Sequence, residues 1–367
     1  MAMIEPAKRV SQPFPLYTRF PELAAGVPRL ALSSGPSPVK KLRLLGQRVG
    51  GLDIWLKNDG VYGTVYGGNK PRKLEFVLAD ALRRGSRTLL TTGALGTNHG
   101  LAAALYGRDL GLNVSLLLCY EQPSPEVRTS VLRMAESGAE VHYTRSYPLT
   151  AALAPYYVAK CAVRDRRIPH IQGPGGSSPL AALGYVNAAL ELAGQVRSGE
   201  LPEPRSIVIP LGTGGTVAGL LAGLRLAGLD SEVLAVAVTH APTAWRPAVL
   251  HLAGSTAKFI ARRSNDRDAG HVQLSTLRIF RDWIGPGLGR GSAASGRAQA
   301  IVHDLEGLEL DPTYGAKAMA AVIGLANLGS LPAPVLFWQT FNAIPLPQPS
   351  PAAATRLPAS IRRLCGL

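Results

Sequence analysis

No apolar run in this sequence approaches the about 20 residues that a bilayer-spanning helix requires. Stretches such as 114–119 and 206–211 are far shorter, so no membrane partner is expected. Cysteine is scarce: Cys119, Cys161 and Cys365 are odd in number and lack metal-ligand spacing. That argues against a disulfide framework and against a metal centre, and it favours a reducing cytoplasm. Cys119 sits in the strand-like VSLLLCY and reads as core, not as a nucleophile. The start, MAMIEPAKRVSQPFPLY, lacks the apolar core of a leader peptide. Charge is low at 17%, with 24 Asp and Glu against 39 Lys and Arg, a net +15. The arginine clusters at 164–167, 262–267 and 362–363 have no interleaved aromatics and no nucleic-acid motif. A nucleic-acid partner is therefore not expected, and the surplus positive charge suits anionic small molecules.

What the chain does have is a core. Hydrophobic residues make up 46%, with 40 glycines and 29 prolines, a balance opposite to that of disorder. A length of 367 residues suggests two domains. Strand, glycine turn and helix recur along the sequence. The expected strands are 87–92, 113–119, 140–143, 168–172, 206–211, 232–239 and 335–340. The expected helices are 98–110, 124–137, 179–196 and 216–226. This alternation implies parallel sheets covered by helices on both faces. The proline-rich 345–351 stretch reads as a surface connection before the tail.

Chemistry concentrates in a few turns. In Tyr66-Gly67-Gly68-Asn69-Lys70-Pro71, two glycines allow a tight turn and Pro71 suits the first turn of a helix. The apolar face of that helix would be Leu74, Val77, Leu78, Ala81 and Leu82. Lys70 then lies at the helix mouth, although such a lysine, taken alone, is most often merely solvated. Gly212-Thr213-Gly214-Gly215-Thr216 is a strand-to-helix turn whose N–H groups and helix dipole favour an anion. It lacks the spacing of a dinucleotide fingerprint and the lysine of a P-loop; alone it could hold any phosphate or be a structural turn. Gly93 to His99 is a second such cradle. Tyr314, in Asp311-Pro312-Thr313-Tyr314-Gly315, could be a functional tyrosine or one that packs a turn.

In order and spacing, these segments resemble the aminocyclopropane-carboxylate deaminase and D-cysteine desulfhydrase family of pyridoxal-phosphate (PLP) enzymes. The likeness covers GGNKPRKLEF, LADALRRGSRTLLTTGALGTNHGLAAALYGRDLGLNVSLLL, GPGGSSPLAALGYV, PLGTGGTVAGLLAGL and LDPTYGAKAM, roughly residues 35 to 340. The resemblance implies a two-domain α/β fold of the tryptophan-synthase-β type (PLP fold type II). A small domain over 73–180 would sit between the two parts of a large one, 1–72 and 181–367. It implies Lys70 as the Schiff-base lysine and Gly212, Thr213, Gly214, Gly215 and Thr216 as the phosphate loop. Asn98 would lie against the cofactor's 3′-oxygen and Thr340 would face its pyridine nitrogen. Thr97 (where the family commonly has serine), Asn98, His99, Tyr314 and Leu288 would surround the substrate, with Thr97 and Tyr314 joining Lys70 in catalysis.

The activity implied is α,β-elimination from a small amino acid, giving a keto acid and ammonia, in a cytoplasmic homodimer. Three departures bear on the substrate. Leu288 stands where the family usually has a second tyrosine, Gly315 where deaminases carry glutamate, and Phe341-Asn342-Ala343 replaces a glycine pair. Cyclopropane ring opening, β-replacement on a specialised-metabolite amino acid, and a PLP-binding protein without turnover are the alternatives.

Overall fold

The computed structural model describes residues 14–271, 273, 274 and 276–367. Residues 1–13, most of the stretch read for a leader, lie outside them. Ten strands are found among the described residues. They are β1 (Val39–Lys41), β2 (Ile54–Asn58), β3 (Thr88–Ala94), β4 (Asn113–Cys119) and β5 (Glu140–Arg145), then β6 (His170–Gln172), β7 (Ser206–Leu211), β8 (Glu232–Ala237), β9 (Leu277–Phe280) and β10 (Val335–Gln339).

Two sheets result, a six-stranded one in the order β1-β2-β10-β7-β8-β9 and a four-stranded one in the order β5-β4-β3-β6. All pairings are parallel except β1 with β2. Parallel strands are covered on both faces and so need continuous apolar runs; every residue of β7 and of β10 is buried. The strands the sequence reading missed are those that break this rule. β1 is a three-residue edge strand. β9 is another edge, and β2 carries Lys57 in its middle, fully buried. Also unforeseen was the helix Tyr147–Asp165, which has Pro155 inside it and buries only Thr150, Cys161 and Asp165.

Two expectations need correction. The helix that follows the Lys70 turn, Asn69–Arg83, does not present one apolar stripe. Leu82 is exposed, whereas Arg72, Lys73 and Glu75 are buried beside Leu74 and Phe76. The helix is wedged between the cores of both sheets, so it has almost no solvent face. The last segment, expected with the larger domain, packs on the smaller sheet instead: Ala353, Leu357, Ile361 and Cys365 join the cluster of Leu116, Val131 and Met134. Arg133 donates to the Leu346 and Pro347 carbonyls, which fastens the 345–351 connection to the same unit.

Candidate functional site

The turn before Lys70 is shaped by close backbone approach. A Cβ at Gly67 would overlap the Gly60 carbonyl oxygen, and one at Gly68 would lie 2.5 Å from the Thr340 carbonyl oxygen. Gly68 also has φ +87°, a conformation that favours glycine. The Gly68 N–H donates to the Asp59 carbonyl at 2.7 Å and the Asn69 N–H to that of Thr340 at 2.9 Å. The Asn342 side chain accepts the Gly67 N–H at 2.6 Å. The departure at 341–343 therefore has a local role, because Asn342 pins the very turn that presents Lys70.

Lys70 emerges into a cavity of about 450 Å³ between the two sheets. Burial lowers its pKa to about 8. Lys73, one turn further along, is 1% exposed, and its Nζ donates only to the Gly175 carbonyl, at 3.3 Å. Burial, reinforced by Lys70, pushes its pKa well below the usual lysine value. His99 is buried, and among the described residues neither ring nitrogen has a hydrogen-bond partner. Burial, then Lys70 and Lys73, hold its pKa well below the ordinary histidine value. Three basic groups thus share one cavity, and neither lysine is in an ion pair among the described residues.

Two helix starts face them. The helix Gly215–Leu226 begins beyond Gly214, which has φ +85°, with the 212–216 turn along the cavity wall. Ser177 braces this turn: its hydroxyl shares a 2.8 Å hydrogen bond with that of Thr213 and accepts the Gly215 N–H. Asn69 donates to the Thr216 hydroxyl at 3.0 Å. A Cβ at Gly212 would meet only the Tyr314 ring, at 3.6 Å, so the turn is uncrowded at Gly212, while the Gly215 N–H is already taken by Ser177. The second start, Asn98–Asp109, is capped by Thr97, whose hydroxyl accepts the Gly100 N–H at 3.3 Å. β3 runs through Gly93 and Ala94, so the turn itself is shorter than the sequence suggested. Asn98 Oδ1 accepts from the Tyr66 hydroxyl at 3.2 Å.

The remaining candidates line the same space. Thr340 is buried just past β10. Tyr314 precedes the helix Gly315–Asn327, and the Asp311 carboxylate accepts the N–H groups of Tyr314 and Gly315. Burial, then Asp311 and Glu121, raise the Tyr314 pKa. At Gly315 an added Cβ would be within 3.2 Å of Asp311 and Leu310 and 3.1 Å of Gln339 Oε1. A glutamate does not fit there without a shift. Leu288, 37% exposed, lies over the cavity on a glycine loop. That loop is held by Lys317, whose Nζ donates to the Ile284 and Gly287 carbonyls.

The sequence reading missed Tyr66, Lys73, Glu121, Tyr147 and Ser177 as cavity or bracing residues. Lys73 and Tyr66 stood inside the Lys70 motif and could have been flagged by their distance of three or four residues from Lys70. Ser177 stood inside the GPGGSSPLAALGYV segment, whereas Glu121 and Tyr147 had no local signal.

The donor set suits a phosphorylated aldehyde. It offers an amine of lowered pKa, an open glycine turn at a helix start for the phosphate, and a buried unpaired lysine beside them. Comparisons with known proteins agree. The profile of the family described as "Pyridoxal-phosphate dependent enzyme" matches residues 30–340. The D-cysteine desulfhydrase of Salmonella schwarzengrund is 34% identical over 301 residues, 81% of this chain and 88% of its own. A solved ACC deaminase homologue superposes with a TM-score of 0.76 at 27% identity, over 94% of this chain and all of that one. At 14% identity, threonine deaminase isoform 2 of Solanum lycopersicum shares the fold, with a TM-score of 0.58 over 100% of this chain and 94% of its own. A site with this chemistry on this fold, matched across most of its length, makes the chain a member of the pyridoxal-phosphate dependent enzyme family.

Proposed function

We propose that this enzyme carries out α,β-elimination on a small amino acid, with D-cysteine as the reference substrate, and that Lys70 binds the cofactor. The observation that carries the reading is the unpaired Lys70 and Lys73 facing the open Gly212–Thr216 helix start across one cavity. PLP, when bound, supplies the electron sink for charge left at the substrate's α-carbon. Gly212, Thr213, Gly214, Gly215 and Thr216 would hold its phosphate, whose charge would favour the protonated form of Lys73. Asn98 and Thr340 would hold the ring, and a neutral hydroxyl at Thr340 would offer the pyridine nitrogen no carboxylate.

The chain's own groups then do the rest. The 93–99 turn, with Thr97, Asn98 and His99, receives the substrate carboxylate at the second helix start. The Lys70 amine, poised near neutrality by burial, takes the α-proton. Tyr314, buried and protonated, serves the leaving group as a hydrogen donor. Leu288 limits water at the mouth. The absence of the deaminase glutamate at Gly315, where a side chain would displace the ends of Gln339, Asp311 and Leu310, supports elimination over cyclopropane opening.

The two sheets support a smaller unit over 73–180 between parts of a larger one, with the tail attached to the smaller. Tyr156, Val163, Ile168 and Ile171, apolar and exposed, support pairing into a homodimer. The three free, buried cysteines support a reducing cytoplasm.

Incubation with D-cysteine, L-cysteine, aminocyclopropane-carboxylate and S-substituted cysteines tests the activity. Keto acid, ammonia and thiol or sulfide are expected from the cysteines. Keto acid from the cyclopropane compound alone would reverse the reading. Borohydride should fix the cofactor to the peptide that contains Lys70, and label on Lys73 instead would remove Lys70 from its role.

A further inference from the structure

The cavity that holds Lys70 and Lys73 is also lined by the carboxylates Glu121, Glu126 and Asp311, with Ser124, Ser130, Leu288 and Gly289. No arginine lines it. Glu121 follows β4 and uses one oxygen, Oε2, to accept the Gly96 N–H at 2.8 Å. Its other oxygen faces Gly289, where an added Cβ would lie 2.5 Å from Oε1. Among the described residues no hydrogen bond to a side-chain cation satisfies it. In a chain of net charge +15, a partly buried carboxylate that draws on no side-chain cation among the described residues suits a cationic group on a ligand. Burial raises the Glu121 pKa, and an arriving cation would relieve that cost. Val127 and Leu288 line the same cavity and offer it apolar surface.

We propose that Glu121 is a specificity-determining residue that selects amino acids whose β-substituent has an apolar stem and an ammonium tip. This inference rests on the elimination reading above and names its substrate class. S-(2-aminoethyl)cysteine is the simplest such compound. Its Cβ–S bond breaks with the electron pair leaving on sulfur, the α-proton is lost, and one water is consumed. The products are 2-aminoethanethiol, pyruvate and ammonia. A charge-assisted contact to Glu121 Oε1 holds the tip, and a neutral tip would leave that carboxylate unanswered.

The test compares S-(2-aminoethyl)cysteine with its neutral isostere S-propylcysteine on the holoenzyme, each as the D- and the L-form. In the reactive series, kcat/KM should favour the amine at least tenfold. Glu121→Gln keeps an oxygen for the Gly96 N–H and removes the charge, so the ratio should fall to about one. Equal turnover of the pair by the unaltered enzyme, or a ratio that survives in Glu121→Gln, would overturn the proposal and leave Glu121 as a brace for Gly96. Calorimetric binding of both compounds to the holoenzyme separates the two readings. If no cysteine derivative yields keto acid, elimination fails, yet a tenfold binding preference lost in Glu121→Gln would still uphold selection. Equal binding would end it.

Discussion

Arg72 and Lys73 are neighbours on one helix, both buried almost completely, and their surroundings are opposite. Arg72 makes a two-pronged contact with Asp59 at 2.8 and 3.0 Å and reaches Glu191 at 3.0 Å. Lys57 adds a 2.7 Å bond to Glu191, and Tyr185 and Trp338 donate to Asp59. Burial alone would lower the Arg72 pKa, but Asp59 and Glu191 hold it well above the ordinary value. Burial alone would raise that of Glu191, yet Arg72 and Lys57 bring it down to about 2. Every charge on that side is answered inside the fold. On the other side, Lys73, Lys70 and His99 have no carboxylate to answer them, and their pKa values fall. A buried charge that the protein pairs belongs to its architecture, whereas one left open is kept for a ligand.

The largest expected effect tests the paired side. Arg72→Met strands Asp59 and leaves Glu191 with Lys57 alone, and breaking a buried pair by removing one partner costs about 3–5 kcal/mol. Denaturant unfolding of the apoprotein should show a loss of that order. A loss under about 1 kcal/mol would mean that water answers the carboxylates and that the contrast between the two faces is not electrostatic.

The unpaired side should respond in reverse. Lys73→Met removes a buried amine with one weak hydrogen bond, so the apoprotein should unfold at equal or higher denaturant. Cofactor affinity, read from the visible band during titration, should drop at least tenfold, about 1.4 kcal/mol. A variant that loses stability but keeps its cofactor affinity would move Lys73 to the structural group.

This contrast also explains what could be read from sequence. β3, β4, β7, β8 and β10 were legible because a parallel strand must be apolar along its whole length. β2 was not, since Lys57 interrupts it and the compensating Glu191 is 134 positions away. The Lys70 and Gly212–Thr216 turns were legible because glycine spacing is local. Glu121 was not, because it acts on a loop, at Gly96, that only the fold brings near. The face of the helix Asn69–Arg83 was misread for a related reason: periodicity assumes one dry side, and this helix has two.

The smallest effect separates Lys70 from an ordinary lysine without using turnover. Burial alone sets its pKa at about 8: the charged form loses hydration and gains no carboxylate, so the neutral amine is favoured. The sign follows directly. The neutral, nucleophilic share of a lysine grows as pH rises toward its pKa and levels off above it. With a pKa of about 8, that share increases about fourfold between pH 7.5 and 9, against about thirtyfold for an unperturbed lysine near 10.4. Acetylation of the apoprotein by an activated ester, quantified on the Lys70 peptide against a reference peptide carrying a free lysine, reads this ratio. A shallow, saturating profile for Lys70 beside a steep one for the reference is expected. A steep profile at Lys70 would mean that water reaches the amine and keeps it protonated. The two sides of the helix would then differ in geometry but not in charge state, and the open side would need another explanation.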